Sequence, residues 1–180
     1  MQGDSASGQA RNASAPAAPR RTNASGRVAG GGQRRLTTVG EPASIRIQRR
    51  IEWSDTDASG AWHNSAAFNL IESAEVALVD ALGFREDVYG RHPRAHIEAD
   101  FLAPMWFRDV ADCEVRVAKV GRTSVTYDAL IRRGDTVTAR GKLVAVLLDR
   151  IGGTAQPWPD EYRRLLETAG PQPGERLVEG

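Results

Sequence analysis

One stretch limits the possible folds more than any other. Residues 65–82 contain neither glycine nor proline, and Ala67, Leu70, Ile71, Ala74, Ala77, Leu78, Ala81 and Leu82 recur at helical spacing. The spacing predicts a helix from Ser65 to Leu82, capped by Asn64 or Ser65 and stopped at Gly83. Its apolar stripe is broad and rich in small alanines, which suits a helix embraced by a sheet. The flanking sequence supplies that sheet. Before the helix, Ile45, Ile47, Ile51 and Trp53 share one side of a strand, with Arg46, Gln48 and Arg50 on the other. After it come four more strands. Ala95, Ile97, Ala99 and Phe101 mark the second, residues 110–117 the third, Val125, Tyr127, Ala129 and Ile131 the fourth, and residues 136–148 the fifth. Turns at Ala103-Pro104, Gly121-Arg122 and Arg133-Gly134-Asp135 separate them.

The order β-α-β-β-β-β predicts an α+β domain over residues 44–150, a five-stranded antiparallel sheet wrapped around one long central helix. So small a sheet leaves an edge to cover, and pairing with a second copy, as a homodimer or homotetramer, is expected. Residues 151–180 read as a C-terminal extension. It has a loop at Ile151-Gly152-Gly153, a short helix opened by Pro159-Asp160-Glu161 and running through Leu166, and a disordered ending from Gly170.

The net charge of +1 conceals an asymmetry. Arg11, Arg20, Arg21, Arg27, Arg34 and Arg35 face a single acid, Asp4, in the first 40 residues. Residues 1–43 form an Ala/Gly/Ser/Arg-rich tail without apolar periodicity, expected to be disordered. Such a tail is open to nucleic acid, a membrane surface or organellar targeting, but a solvated extension is the preferred reading. No aromatic or helical reading element supports nucleic-acid binding. No run approaches the roughly 18 apolar residues of a membrane span, and Met1-Gln2-Gly3-Asp4 lacks the apolar stretch of a secretory signal, so a cytoplasmic location without membrane contact is expected. Cys113, the single cysteine, falls in an alternating apolar segment and reads as a buried, inert thiol.

Chemistry concentrates between the first strand and the helix, in Trp53-Ser54-Asp55-Thr56-Asp57-Ala58-Ser59-Gly60-Ala61-Trp62-His63-Asn64. A carboxylate just before a helix places a nucleophile or base beside free backbone N–H groups, the two parts that acyl transfer needs. Asp55 and Asp57 also suit turn and capping roles. Gly60 lets the chain turn and leaves room for a substrate to approach the backbone. No Gly-rich phosphate loop, serine nucleophile elbow or zinc-ligand spacing is present. His92 and His96, on extended chain, lie roughly 13 Å apart, too far to share an ion, and no metal is expected.

The segment Arg50–Gly60, followed by a helix holding Glu72-Ser73-Ala74, resembles the hotdog-fold acyl-CoA thioesterases of the 4-hydroxybenzoyl-CoA thioesterase type. The likeness runs from about Ser44 to about Asp149 and includes Phe101-Leu102-Ala103-Pro104, Arg108-Asp109-Val110 and Gly121-Arg122-Thr123-Ser124. It implies hydrolysis of an acyl thioester, on coenzyme A or an acyl-carrier protein, with no cofactor beyond the coenzyme A or phosphopantetheine of the substrate. It assigns the catalytic carboxylate to Asp57, as nucleophile or general base, and leaves Asp55 to order the turn. Backbone N–H groups of His63, Asn64 and Ser65 are the candidate oxyanion donors. The imidazole of His63 can also donate to the thioester. Glu72 matches an acidic family position and is the second choice of base, or else a hydrogen-bonding core residue. Arg122 matches a basic family position and, with the hydroxyls of Thr123 and Ser124, is expected to hold the phosphates of coenzyme A, unless it is a solvated turn arginine. Trp62, with Met105, Trp106 and Phe107, either lines the acyl pocket or forms core and dimer contacts. Relatives carry Asn or Tyr where this chain has Ala66 and Ala67, so an aromatic acyl group does not carry over. Hotdog domains also dehydrate thioesters, for which His63 and Glu72 are the available pair, and some bind acyl thioesters without turnover.

Overall fold

The structure is a computed structural model and describes residues 40–177. Its long helix α1 spans Asn64–Ala81, close to the expected limits. The cap is His63 rather than Asn64 or Ser65. In extended conformation (φ −75°, ψ 148°), its Nδ1 accepts the Ser65 N–H at 3.1 Å, the role usually filled by an Asp or Asn oxygen. Ala66, Ala67, Leu70, Ile71, Ala74, Leu78 and Val79 are buried along one face.

The strands are β1 (Glu41–Arg50), β2 (Arg94–Phe101), β3 (Val110–Val120), β4 (Ser124–Arg133), β5 (Thr136–Val146) and β6 (Ala169–Gln172). Two short helices, α2 (Arg85–Val88) and α3 (Asp160–Thr168), complete the described chain. The sheet order is β2-β5-β4-β3-β1-β6, antiparallel except where β6 runs parallel to β1. The expected five-stranded antiparallel sheet is therefore corrected to a six-stranded mixed one. The extra strand is the segment expected to be disordered from Gly170. Gly170, at φ 69°, turns the chain out of α3 and onto the free edge of β1. The tail then continues along that edge, where the Gln48 N–H donates to Glu175 O at 2.8 Å and Arg49 pairs with Glu175 at 2.7 Å. Ala169-Gly170-Pro171-Gln172 has no alternation to announce a strand; it pairs because an open edge is beside it.

One sheet face packs on α1. Ile45, Ile47, Cys113, Val115, Tyr127, Ile131, Ala139 and Leu143 are buried there, in register across four strands. Burial, and then the charges of Asp112 and Glu114, push the Cys113 thiol up to about 12, which makes it unreactive as expected. Gly141 admits the helix to the sheet: a Cβ there would lie 2.7 Å from Ile71 Cδ1 and 2.9 Å from Glu98 O. The opposite face is charged, with Arg46 opposite Glu114, Arg116 opposite Asp128, and Asp100 opposite Arg140. Opposite charges facing across strands suit a solvated surface.

Two expectations about strand faces do not hold. β1 ends at Arg50 and the chain enters a 3-10 turn at Trp53–Asp55, so Trp53 is 75% exposed rather than facing inward. β2 is an edge strand, and Ala95 and Phe101 are exposed while Ile97 and Ala99 are half-buried. Residues 1–39 of the basic N-terminal tail lie outside the described residues, whereas residues 41–43, expected to belong to it, open β1, with Ala43 buried. Among the described residues, no helix is long and apolar enough to cross a membrane.

Candidate active site

The acidic run folds into a small, fully braced loop. Glu52 caps the 3-10 turn, and its N–H donates to Asp55 Oδ2 at 2.8 Å. Thr56 bridges Trp62, the Asp57 N–H donates to Ala61 O at 2.9 Å, and Gly60 N–H returns to Asp57 O at 2.9 Å. Gly60 has φ 80°, a left-handed conformation that side chains resist, and a Cβ there would only graze Trp106 at 3.9 Å. Its glycine is thus required by the turn itself. The loop is fastened to the chain before β3 by the Trp62 N–H to Met105 O, 2.8 Å, and by a bridge from Ala61 to Trp106.

Asp57 is exposed at the tip of this loop. Its Oδ1 accepts the Ser59 hydroxyl at 2.6 Å and the Ser59 N–H at 2.8 Å. Those two hydrogen bonds, hydroxyl first, together with nearby His63, hold its carboxyl below the usual carboxylate range. Oδ2 accepts no hydrogen bond among the described residues, leaving one oxygen of an ionised carboxylate free. Ser59 was not singled out in the sequence, although Asp-x-Ser is the spacing of an Asp side chain that bonds its own turn. Asp55 takes the ordering role: besides capping the 3-10 turn, its carbonyl accepts the His63 N–H at 2.6 Å.

That last bond narrows the oxyanion donors. Of the three expected backbone N–H groups, His63 gives its hydrogen to Asp55 O, and Ser65 gives its to the His63 ring, which also lies 2.8 Å from Ser65 Oγ. Only the Asn64 N–H has no acceptor among the described residues. It belongs to the first turn of α1, where backbone donors are free and the helix dipole favours negative charge.

The remaining candidates are dispersed. Trp62 is buried, edge-on to Phe101, and so belongs to the core beneath the loop. Met105 is also buried, whereas Trp53, Phe101, Leu102, Trp106 and Phe107 are exposed apolar side chains on the segments around the loop. Glu72 is half-buried and faces a separate groove with Arg49, Asn69, Ser73, Arg94 and Glu175. It stands about 13 Å further along the axis of α1 than His63, so the two do not converge within one protomer. Arg122, Thr123 and Ser124 occupy the far end of the sheet. β3 alone separates the ends by about 33 Å, since Val110 lies beside Arg50 and Val120 beside Val125. The Arg122 turn is tied instead to the C-terminal segment, its carbonyl accepting the Trp158 N–H at 2.9 Å. Among the described residues, no group of three or more His, Cys, Asp or Glu side chains is placed to hold a metal ion.

Comparison with known proteins bears on the fold and the family. Residues 59–146 match the sequence pattern of the family described as Thioesterase superfamily, a span beginning just past Asp57. A 1,4-dihydroxy-2-naphthoyl-CoA hydrolase of Synechococcus elongatus is 22% identical over 131 residues, covering 69% of this chain and 96% of that protein. The crystal structure of a Thermus thermophilus thioesterase complexed with coenzyme A and Zn superposes with a TM-score of 0.62 at 25% identity, covering 67% of this chain and 90% of the other. A 1,4-dihydroxy-2-naphthoyl-CoA thioesterase from Synechocystis shares the fold at a TM-score of 0.61 and 16% identity, covering 68% and 95%. The chain therefore carries a thioesterase-superfamily domain of hotdog fold over residues 59–146, and its named relatives are thioesterases and CoA hydrolases, consistent with an acyl-CoA thioesterase.

Proposed function

We propose that the protein hydrolyses an acyl thioester to free acid and thiol, with Asp57 as nucleophile or general base. The observation that carries this reading is the state of Asp57: a carboxylate held below its usual range on a hydrogen-bonded loop, one oxygen bonded by Ser59 and the other open, seven residues ahead of the free Asn64 N–H of a long helix. As a base, Oδ2 takes a proton from water while the resulting hydroxide attacks the thioester carbon. As a nucleophile, it attacks that carbon itself and the acyl–Asp57 anhydride is then hydrolysed. In either route the carbonyl oxygen becomes an oxyanion, collapse breaks the C–S bond, and the thiolate leaves and takes up a proton. A good leaving group makes a carboxylate sufficient without a Ser-His relay. The Asn64 N–H is the donor for the oxyanion, with a contribution of roughly a hundredfold or more in rate if correctly aimed.

Coenzyme A is favoured over a carrier protein as the thiol, because the hydrolase and thioesterase relatives are named for CoA substrates. Arg122, Thr123 and Ser124 serve this reading only from a second subunit. The exposed edge strand β2 has Phe101 at the Asp57 end of the sheet and Arg94 at the Arg122 end. Two copies joined antiparallel along β2 would set the Arg122 turn of one beside the Asp57 loop of the other. The dehydratase alternative loses support from the separation of His63 and Glu72. The test is a thiol-release assay over short, long, branched and aromatic acyl-CoAs and an acyl-carrier-protein thioester. Turnover of at least one CoA thioester is expected; no release from any of them would overturn the reading.

A further inference from the structure

The middle of α1 holds a second polar cluster that the thioesterase reading does not use. Glu75 is 1% exposed, although it is an acid on the core-facing side of the helix. Its Oε2 pairs with Arg94 Nη2, and its Oε1 lies 3.1 Å from His92 Nδ1 in a geometry that makes no hydrogen bond. His92, itself buried, is fixed edge-on against Trp158, ring centroids 5.1 Å apart. Glu75 Oε1, His92 Nε2 and Arg94 Nε are all buried and have no hydrogen-bond partner among the described residues. Buried polar atoms without partners are uncommon, and several in one cluster point to a missing group. Beside them is a cleft of about 360 Å³, lined by Glu75, His92 and Arg94 together with Val76, Val79 and Val88. Asp57 does not line it, and Glu75 lies about 16 Å along the helix axis from Asn64.

We propose that this cleft binds a small molecule consisting of an apolar body and one neutral hydroxyl group. The unpartnered atoms decide the head group. Glu75 Oε1 needs a donor and Arg94 Nε–H needs an acceptor, and a hydroxyl is both. Although Arg85 also lines the cleft, a carboxylate has no proton to give Glu75 Oε1 and would meet it with like charge, whereas an ammonium cannot accept from Arg94 Nε–H. Water also donates and accepts, and Arg85 and Tyr89 add polar groups to the lining, so water alone is the competing occupant; the apolar walls of Val76, Val79 and Val88 favour an organic body over it. The walls suit an apolar body, as in most small-ligand sites.

The test titrates the isotopically labelled full chain with benzyl alcohol and with ethylbenzene, its isostere without the hydroxyl, following the backbone amide signals of residues 75–94. Benzyl alcohol is expected to bind at least about tenfold more tightly, the effect of hydrogen bonds to charged groups. In Glu75→Gln and Arg94→Met the preference should shrink to under about threefold for the same reason. Because either variant can lose stability, a crystal of the unaltered protein soaked in benzyl alcohol gives a second readout, with the hydroxyl expected within hydrogen-bond distance of Glu75 or Arg94. Equal affinity for the two probes, or a soaked crystal with only water in the cleft, would overturn the proposal. Asp57→Asn should bind benzyl alcohol as the unaltered protein does, so this site and the thioesterase reading stand or fall separately.

Discussion

Asp57 and Glu75 are two acids placed by the same helix, one just before its start and one in its middle, and they are held in opposite ways. The Asp57 carboxylate is exposed and bonded only to Ser59, two residues away. Glu75 is buried, and its neighbours, His92 and Arg94, come from beyond the helix. The first carboxylate depends on its loop for orientation and contributes little to holding the domain together. The second is part of the core, where a charge persists only if paired. On the proposed mechanism, reactivity falls to an acid of the loop and cohesion to an acid of the helix that follows it.

The sharpest way to break that contrast is to remove each carboxylate. Glu75→Ala leaves Arg94 without its partner and should cost about 3 kcal/mol of stability, whereas Asp57→Ala should leave the melt close to that of the unaltered protein, as for exposed sites. Denaturant melts of the two variants measure this directly, and equal losses would end the distinction. Next in size is Gly141→Val. Its side chain would press on Ile71 and the Glu98 carbonyl, and a loss of about 2 kcal/mol is expected in thermal unfolding. Gly60→Ala acts at the other region: a Cβ meets no close neighbour, but φ 80° is strained, at about 1 kcal/mol. Here kcat should fall out of proportion to the small shift in Tm, because the displaced group is the Asp57 loop. The smallest change is a predicted absence. A carboxyl held below its ordinary range stays ionised as pH falls, so kcat/KM should not drop with an Asp57 titration until pH passes below about 4, the ordinary value for Asp. A loss traced to Asp57 and centred near pH 6 would contradict the Ser59 hydrogen bonds.

The same contrast explains what could be read in the sequence. The helix, five of the six strands, and the Asp57 turn follow from local patterns: apolar spacing, glycine placement, and an acid before a cap. The candidate site was legible because its bonds are short-range, and Asp55 was rightly read as the acid that orders the turn. What was not legible depends on distant segments. β6 is a strand only because β1 has an open edge, and Trp53 leaves the inner face because the 3-10 turn bends the chain. His63 replaced the expected caps because its ring reaches the Ser65 amide. Glu75 looked like one more polar residue on a helix until folding placed His92 and Arg94 against it. The distance from Asp57 to the Arg122 turn was hidden for the same reason, since strand length and sheet order set it.

The most direct test of the central claim compares single-turnover thiol release by the unaltered protein, Asp57→Asn and Glu72→Gln on the acyl-CoA it hydrolyses best. Replacing Asp57 should slow release at least about a hundredfold, the scale of a lost general base, while Glu72→Gln stays within a few-fold of the unaltered rate. Undiminished release by Asp57→Asn, with the loss falling on Glu72→Gln instead, would contradict the account.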